Sequence, residues 1–202
     1  VASVYQYNLT TPWDSSSAEF EARHVEGRTD VKHLRTLAFK PDGTRMFVGG
    51  KDNPATTGKI KQFTLSNPWD LSSGVSDAGL SVDIGSSEAN LRNAQFDDTG
   101  TILYVGGNDS DDIHKYSLST AWDITTLSSS FTTFDLVGGY SNMRGFIFVA
   151  GFTKLFVVDD TATTSTVIEY SPSCTMITCS DPSDDGNVKG IIDANVELSK
   201  LS

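Results

Sequence analysis

Short segments in which apolar residues occupy every second position recur along the chain. Four of them are "VYQYNL" at 4–9, "IKQFTL" at 60–65, "IHKYSL" at 113–118 and "VIEYSP" at 167–172. A period of two places the apolar side chains on one face of a β-strand. The matching aromatic residues, Tyr7, Phe63, Tyr116 and Tyr170, follow one another at steps of 56, 53 and 54 residues. The pattern therefore predicts one such strand in each copy of a repeat.

A second block of the repeat predicts a β-hairpin. It reads "LRTLAFKPDGTRMFVGG" from residue 34, "LRNAQFDDTGTILYVGG" from residue 91 and "MRGFIFVAGFTKLFVVDD" from residue 143. Gly43 and Gly100 lie in the first two turns, where a tight hairpin requires a positive φ. The third copy has "VAGFTK" at the turn, which predicts a longer or distorted hairpin.

The three tryptophans lie in a third shared block, "NLTTPWDSSS", "TLSNPWDLSS" and "SLSTAWDITT". A further strand follows each copy, in "AEFEARHVE", "GLSVDIG" and "FTTFDLV". We expect Trp13, Trp69 and Trp122 to cover the seams between repeat units, and Asp14, Asp70 and Asp123 to cap the turns. The alternative is that the indoles form an exposed platform for a ligand.

Four short antiparallel strands in each repeat predict an all-β fold, a β-propeller with blades of about 54 residues. The predicted propeller region covers residues 1–172, with units near 1–33, 34–90, 91–142 and 143–172. This makes about three and a half blades. We therefore expect one of three arrangements: the chain is an excerpt of a larger ring, a partner or a second copy of the chain closes the ring, or the tail supplies the missing strands. Residues 173–202 are predicted to be an irregular acidic segment that completes or braces the propeller.

These motifs resemble known families. The stretch "FKPDGTRMFVGG" resembles the inner hairpin of YVTN-type and WD40-like propellers. The longer phrase from "PDGT" through "VGG" to the "PWD" turn is similar to repeats of phage and marine-virus structural proteins, such as tail and fibre proteins. The resemblance implies a propeller fold, and it implies a virion role less specifically because propellers support many activities.

Composition and charge narrow the range of partners. The formal net charge is −11, from 26 acidic and 15 basic residues, which disfavours nucleic acid as a partner. The chain has no apolar run of the roughly 20 residues that cross a bilayer, so we expect no membrane insertion. Cys174 and Cys179 are the two cysteines, and their spacing suggests a local disulfide in an oxidising setting, or alternatively two reduced thiols.

Equivalent arginines are the most distinctive candidate site. Arg35, Arg92 and Arg144 occupy one column of the repeat. On successive blades they could form an arc around the central channel that binds an anion. The preferred alternative is structural, with each arginine donating a bidentate bond to Asp14, Asp70 or Asp123 of the same or the next blade.

Other chemistry has weaker support. Carboxylates recur in loops such as "NDSDD", so Asp109, Asp111 and Asp112 are candidate calcium ligands, or else part of a solvated acidic turn. No other cofactor is predicted. His24, His33 and His114 fall in different parts of the repeat, and no "GxSxG" motif occurs, so no catalytic triad is predicted. His24 and His33 flank a loop near the first inner strand and could meet in space, but we predict that they are ordinary surface or loop histidines.

The sequence as a whole predicts a non-enzymatic structural or adhesive propeller. Its expected setting is a virion or the extracellular space, where it binds other structural subunits or a surface glycan. One alternative is a propeller-type enzyme, such as a lactonase-like hydrolase with an axial metal. Another is a cellular surface-layer or scaffold protein.

Overall fold

The computed structural model describes residues 3–25, 31–51, 57–136, 142–149, 151–160 and 165–170. The C-terminal segment 173–202, with Cys174 and Cys179, lies outside the described residues. No helix in the described part of the chain is long and apolar enough to span a membrane.

The described strands form four antiparallel sheets, one for each repeat unit. The first sheet contains β1 (Ser3–Leu9) and β2 (Ala18–Val25). The second contains β3 (His33–Phe39), β4 (Arg45–Lys51), β5 (Gly58–Asn67) and β6 (Asp70–Asp83). The third contains β7 (Leu91–Phe96), β8 (Ile102–Gly107), β9 (Ile113–Leu118) and β10 (Leu127–Phe134). The fourth contains β11 (Met143–Val149), β12 (Lys154–Asp160) and β13 (Ser165–Tyr170).

This arrangement is a partial β-propeller, so the predicted fold class is confirmed. Each sheet follows chain order from its innermost strand outward, and the innermost strands β3, β7 and β11 contact one another in sequence. Two blades have four strands and one has three. The sheet of β1 and β2 corresponds to the two outer strands of a blade.

Apolar clusters fill the seams between adjacent blades. Phe47 and Ile60 of the second sheet pack with Leu103 of the third, and Tyr104 of the third packs with Phe148 of the fourth. Each sheet is therefore buried on both faces where it has two neighbours, which is the condition for a stacked ring of blades.

Side-chain amides hold neighbouring blades together where no backbone ladder joins them. Gln62 is buried, and its Oε1 accepts a hydrogen bond from the backbone N–H of Ile124 at 3.0 Å. Gln6, at the equivalent position, accepts from Leu71 at 2.7 Å. Each bond satisfies a backbone donor at a blade seam, which would otherwise be costly to bury.

The tryptophan turns have a shared backbone geometry. Trp13, Trp69 and Trp122 all have positive φ values, 66°, 63° and 62°, a region that non-glycine residues seldom occupy. The N–H of Trp69 bonds the carbonyl of Gly43 at 3.0 Å, and the N–H of Trp122 bonds that of Gly100 at 2.8 Å. The indoles of Trp69 and Trp122 thereby fold back over the inner hairpins of their own blades.

The three indoles differ in what they cover. Trp122 packs against Phe96 of its own blade, with ring centroids 5.0 Å apart, and against Phe47 of the preceding blade at 6.4 Å. Trp69 packs on Phe39 of its own sheet. Trp13 is 99% exposed, so the expectation that it covers a seam is wrong for this chain. The described residues contain no inner hairpin beneath it.

Candidate functional site

The three equivalent arginines lie together at one end of the inner strands. Arg35, Arg92 and Arg144 occupy the starts of β3, β7 and β11. Because these strands are neighbours, their arginines form an arc across three blades. We call these three residues the arginine arc.

A chain of side-chain amides joins the arginine arc. Arg35 donates to Asn90 Oδ1, and Asn90 donates to Asn108 Oδ1. Arg92 Nε donates to the same oxygen of Asn108 at 3.2 Å. Asn108 in turn donates to Asn142 Oδ1 at 3.0 Å. The asparagines thus act as spacers that hold cationic groups of different blades at fixed separations.

At one end of the arc, Arg144 forms an ion pair with Asp160. Arg144 contacts Asp160 Oδ2 through Nε at 3.1 Å and Nη2 at 3.0 Å. Asn142 donates to the Asp160 carbonyl oxygen at 2.7 Å. Asp160 occupies the column of Asn108 and Lys51, so the residue opposite each arginine differs from blade to blade.

Burial and neighbouring charges both act on two arginines of the arc. Burial lowers the pKa of Arg35, and the nearby charge of Arg144 lowers it further. Burial also lowers the pKa of Arg92, followed by repulsion from Arg35 and Arg144, whereas Glu88 and Asp109 act in the opposite direction. These arginines remain cationic at neutral pH, so the repulsion is a free-energy cost that a bound anion would relieve.

Glu88, a buried carboxylate, anchors the backbone next to the chain of asparagines. It accepts backbone hydrogen bonds from Asn90 at 2.8 Å, Asp109 at 3.2 Å and Ser110 at 3.3 Å, and one from the Ser110 hydroxyl at 2.9 Å. Glu88 therefore fixes the loop before β7 to the turn after β8. Sequence reasoning missed it because the contact joins residues about twenty positions apart.

Sequence reasoning also missed the asparagines. Asn90 and Asn142 each precede an arginine of the arc by two residues, and His33 occupies the same position before Arg35. That repeated spacing was the signal that could have identified them.

The predicted pairing of the arginines with the aspartates of the tryptophan turns is wrong. Each of these aspartates caps its own turn through Oδ1. The contacts are Asp14 to the N–H of Ser16 (2.9 Å), Asp70 to that of Ser72 (2.7 Å) and Asp123 to that of Thr125 (3.0 Å). The reason is geometric, since the tryptophan turns pack at the hairpin end of each blade and the arginines lie at the opposite end.

The structure does not bring the predicted calcium ligands together. Asp111 Oδ1 accepts from the N–H of Met143 at 2.9 Å, and Asp112 Oδ1 accepts from that of Leu136 at 3.3 Å. Among the described residues, no three Asp, Glu, His or Cys side chains form a group that could hold a metal ion. Asp111 instead ties the β8–β9 turn to the next blade, and Asp112 ties it to the segment after β10.

His114 of β9 has a structural role that the sequence did not predict. It is buried, and its ring nitrogens form hydrogen bonds of 3.0 Å to Thr133 Oγ1 and Ser110 Oγ. Burial lowers its pKa, with Asp112 and Glu88 acting against that shift. The imidazole is therefore a neutral structural link between β9 and β10. His33 is exposed at the start of β3, beside the arginine arc.

A groove of about 410 Å³ lies at the hairpin end of the inner strands. Leu37, Phe39 and Trp122 contribute apolar surface to it. Its amide Gln95 is already engaged in two bonds with the backbone of Phe148, at 2.9 and 3.0 Å. The Gln95 amide therefore links the third sheet to the fourth beside this groove.

Comparison with known proteins supports the fold. The sequence matches no family model and no curated protein. Among solved structures, a protein from Lactobacillus plantarum is similar with a TM-score of 0.53 and 16% identity, over 83% of this chain and 45% of that chain. A provisionally named 6-phosphogluconolactonase from Bacteroides fragilis is similar with a TM-score of 0.51 and 11% identity, over 85% of this chain and 48% of that one. The chain thus spans about half the length of these propeller-type structures.

These comparisons correct the functional prediction. The expectation that the chain is not an enzyme is contradicted, because a protein of the same fold bears the name of an enzyme. The narrower resemblance to phage repeats, and the virion and adhesive roles drawn from it, gain no support. The lack of short catalytic motifs was no basis for excluding an enzyme, because one fold supports many unrelated activities.

Proposed function

We propose that the chain contributes the substrate-binding part of a propeller-type lactonase, with the arginine arc binding the anionic group of the substrate. The observation that carries this proposal is the position of Arg35, Arg92 and Arg144, which lie together at the starts of three neighbouring inner strands and repel one another. A phosphate or carboxylate bound there accepts charge-assisted hydrogen bonds and relieves that repulsion. A phosphorylated sugar lactone carries such a group, as the name of the Bacteroides fragilis structure suggests.

The arginine arc is locally positive, although the chain as a whole carries a negative charge. The net charge of −11 repels anions at long range. The arc, with Lys51 at the adjacent end of β4, brings four cationic groups to one end of the inner strands, and Asp160, Glu88 and Asp109 offset part of their charge.

His33 is the residue assigned to proton transfer in this proposal. It stands where the other inner strands have Asn90 and Asn142, and it is paired in register with Lys51. A neutral imidazole accepts a proton from water as the water oxygen attacks the lactone carbonyl. The ring C–O bond then breaks, and the proton passes to the leaving alkoxide to give the hydroxy acid.

Calorimetric titration with 6-phosphogluconate and hydrolysis of its lactone test the proposal. Arg92→Gln should weaken binding of the phosphorylated acid by about tenfold, the effect of losing one charged hydrogen bond. Lys40→Gln is the matched control. It also removes one positive charge, but Lys40 follows β3 at the end that lies away from the arginine arc. His33→Gln should lower kcat more than it changes KM.

Two outcomes would overturn the proposal. One is that the wild-type chain neither binds the phosphorylated acid nor hydrolyses the lactone. The other is that Arg92→Gln and Lys40→Gln change the affinity equally, which would show that only net charge matters.

A further inference from the structure

The face of the first sheet that carries Tyr7 is exposed, whereas the second sheet is covered at the equivalent position. Tyr7 is 54% exposed, whereas Phe63, the equivalent residue of the second sheet, is fully buried against the first sheet. Tyr5, Leu9 and Phe20 are exposed as well. Exposed apolar surface concentrated in one place indicates an interaction site.

The seam between the second and third sheets shows how a blade receives a tryptophan turn. Arg45 donates from Nη1 to the carbonyl oxygen of Trp122 at 2.6 Å, and Gln62 accepts from the N–H of Ile124 at 3.0 Å. Phe47 lies between them in the sheet, paired in register with Gln62, and contacts the indole. A donor, an aromatic ring and an acceptor thus form one receptor for the turn.

The fourth sheet carries the same three kinds of group at the same positions. Lys154 matches Arg45 as donor, Phe156 matches Phe47, and Glu169 matches Gln62 as acceptor. The register is also the same, since Phe156 pairs with Glu169.

The third sheet provides the internal comparison, because its next blade has no tryptophan at the corresponding turn. There the donor is replaced by Ile102 and the acceptor by Lys115, although the ring of Tyr104 remains. The donor and the acceptor are therefore missing from the third sheet, which no tryptophan turn follows. Both are present on the fourth sheet. Within the described residues, no turn occupies that face of the fourth sheet.

We propose that this face of the fourth sheet binds the tryptophan turn around Trp13 of a second copy of the chain. Trp13 packs on Phe156, the Lys154 ammonium donates to the carbonyl oxygen of Trp13, and the Glu169 carboxylate accepts from the N–H of Ser15. Lys154 and Glu169 already form an ion pair of 2.6 Å, and both have capacity for the further bond.

Two properties of the chain favour a second copy as the occupant. Its own Trp13 turn has the backbone geometry of the bound Trp122 turn and an almost fully exposed indole. The contact also joins opposite ends of the row of blades, and such a head-to-tail contact closes with two copies when each copy turns the row of blades through half a circle. The second arginine arc would face the same channel.

Light scattering during size-exclusion chromatography, combined with sedimentation analysis, tests the arrangement. The wild-type chain should form a dimer of 21.8 kDa subunits. Trp13→Ala and Phe156→Ala should each raise the dimer dissociation constant by more than about tenfold, as expected for aromatic groups at the centre of an interface. Leu37→Ala removes an exposed apolar side chain from an inner strand and should leave the dimer unchanged.

Mixing the two variants distinguishes this contact from other dimers. The Trp13→Ala chain keeps Phe156, and the Phe156→Ala chain keeps Trp13, so the mixture should form a heterodimer through one intact contact. Lys154→Ala, an exposed substitution that should leave the fold intact, should also weaken association. A monomeric wild-type chain, or variants that fail to complement each other while Lys154→Ala has no effect, would overturn the proposal.

Discussion

Gly100 lies directly beneath the Trp122 indole, and its replacement by alanine tests the packing of the tryptophan turn. A Cβ at this position would overlap the indole, and the φ of +72° is unfavourable for alanine. The backbone term costs about 1–2 kcal/mol. Displacing a packed tryptophan side chain costs up to about 3–5 kcal/mol more. We therefore expect Gly100→Ala to lower the free energy of unfolding by at least about 3 kcal/mol, measured by urea denaturation.

The chain supplies a matched control for the backbone term. Gly151 has a similar φ of +66°, but nothing lies within 4 Å of the position that a Cβ would take. Gly151→Ala should therefore cost only about 1–2 kcal/mol.

A double-mutant cycle with Trp122→Ala isolates the overlap with the indole. In that background Gly100→Ala should also cost only the backbone term, about 1–2 kcal/mol. Equal costs of Gly100→Ala with and without the indole would refute the reasoning, because the packing contact would then carry no free energy.

Two further predictions concern buried polar groups. Gln62→Leu leaves the buried N–H of Ile124 without its acceptor and should lower the free energy of unfolding by about 1–3 kcal/mol, with faster hydrogen exchange at Ile124; an unchanged urea midpoint would contradict this. Burial lowers the pKa of His114 below its ordinary value of 6.5, so the unfolded chain binds more protons and the wild type should lose stability as the pH falls below that value. His114→Gln should flatten this part of the melting profile between pH 8 and pH 5, and an identical pH dependence in both proteins would exclude the assignment.

Much of the architecture follows from local sequence. The alternating apolar positions predict the strands, and Gly43 and Gly100 predict two of the hairpin turns, because both signals act between residues close in the chain. The repeat of these signals was sufficient to predict blades. It also placed Arg35, Arg92 and Arg144 at equivalent positions, because successive blades are related by a rotation about the propeller axis.

The partners of those residues depended on tertiary structure. The sequence could not show that the arginines and the tryptophan-turn aspartates lie at opposite ends of the blades, so the predicted ion pairs were wrong. Nor could it show that Glu88 supports Asn90 and the turn after β8, or that His114 is buried.

The physical reason is the range of the interactions involved. Alternation and turn chemistry are properties of a few consecutive residues, and any copy of the repeat displays them. Burial, charge repulsion and hydrogen bonding between blades depend on distances between segments that are tens of residues apart. The sequence alone therefore determined a repeated sheet with a column of arginines, and only the tertiary structure decided that Arg35 reaches Asn90 and that Trp13 remains uncovered.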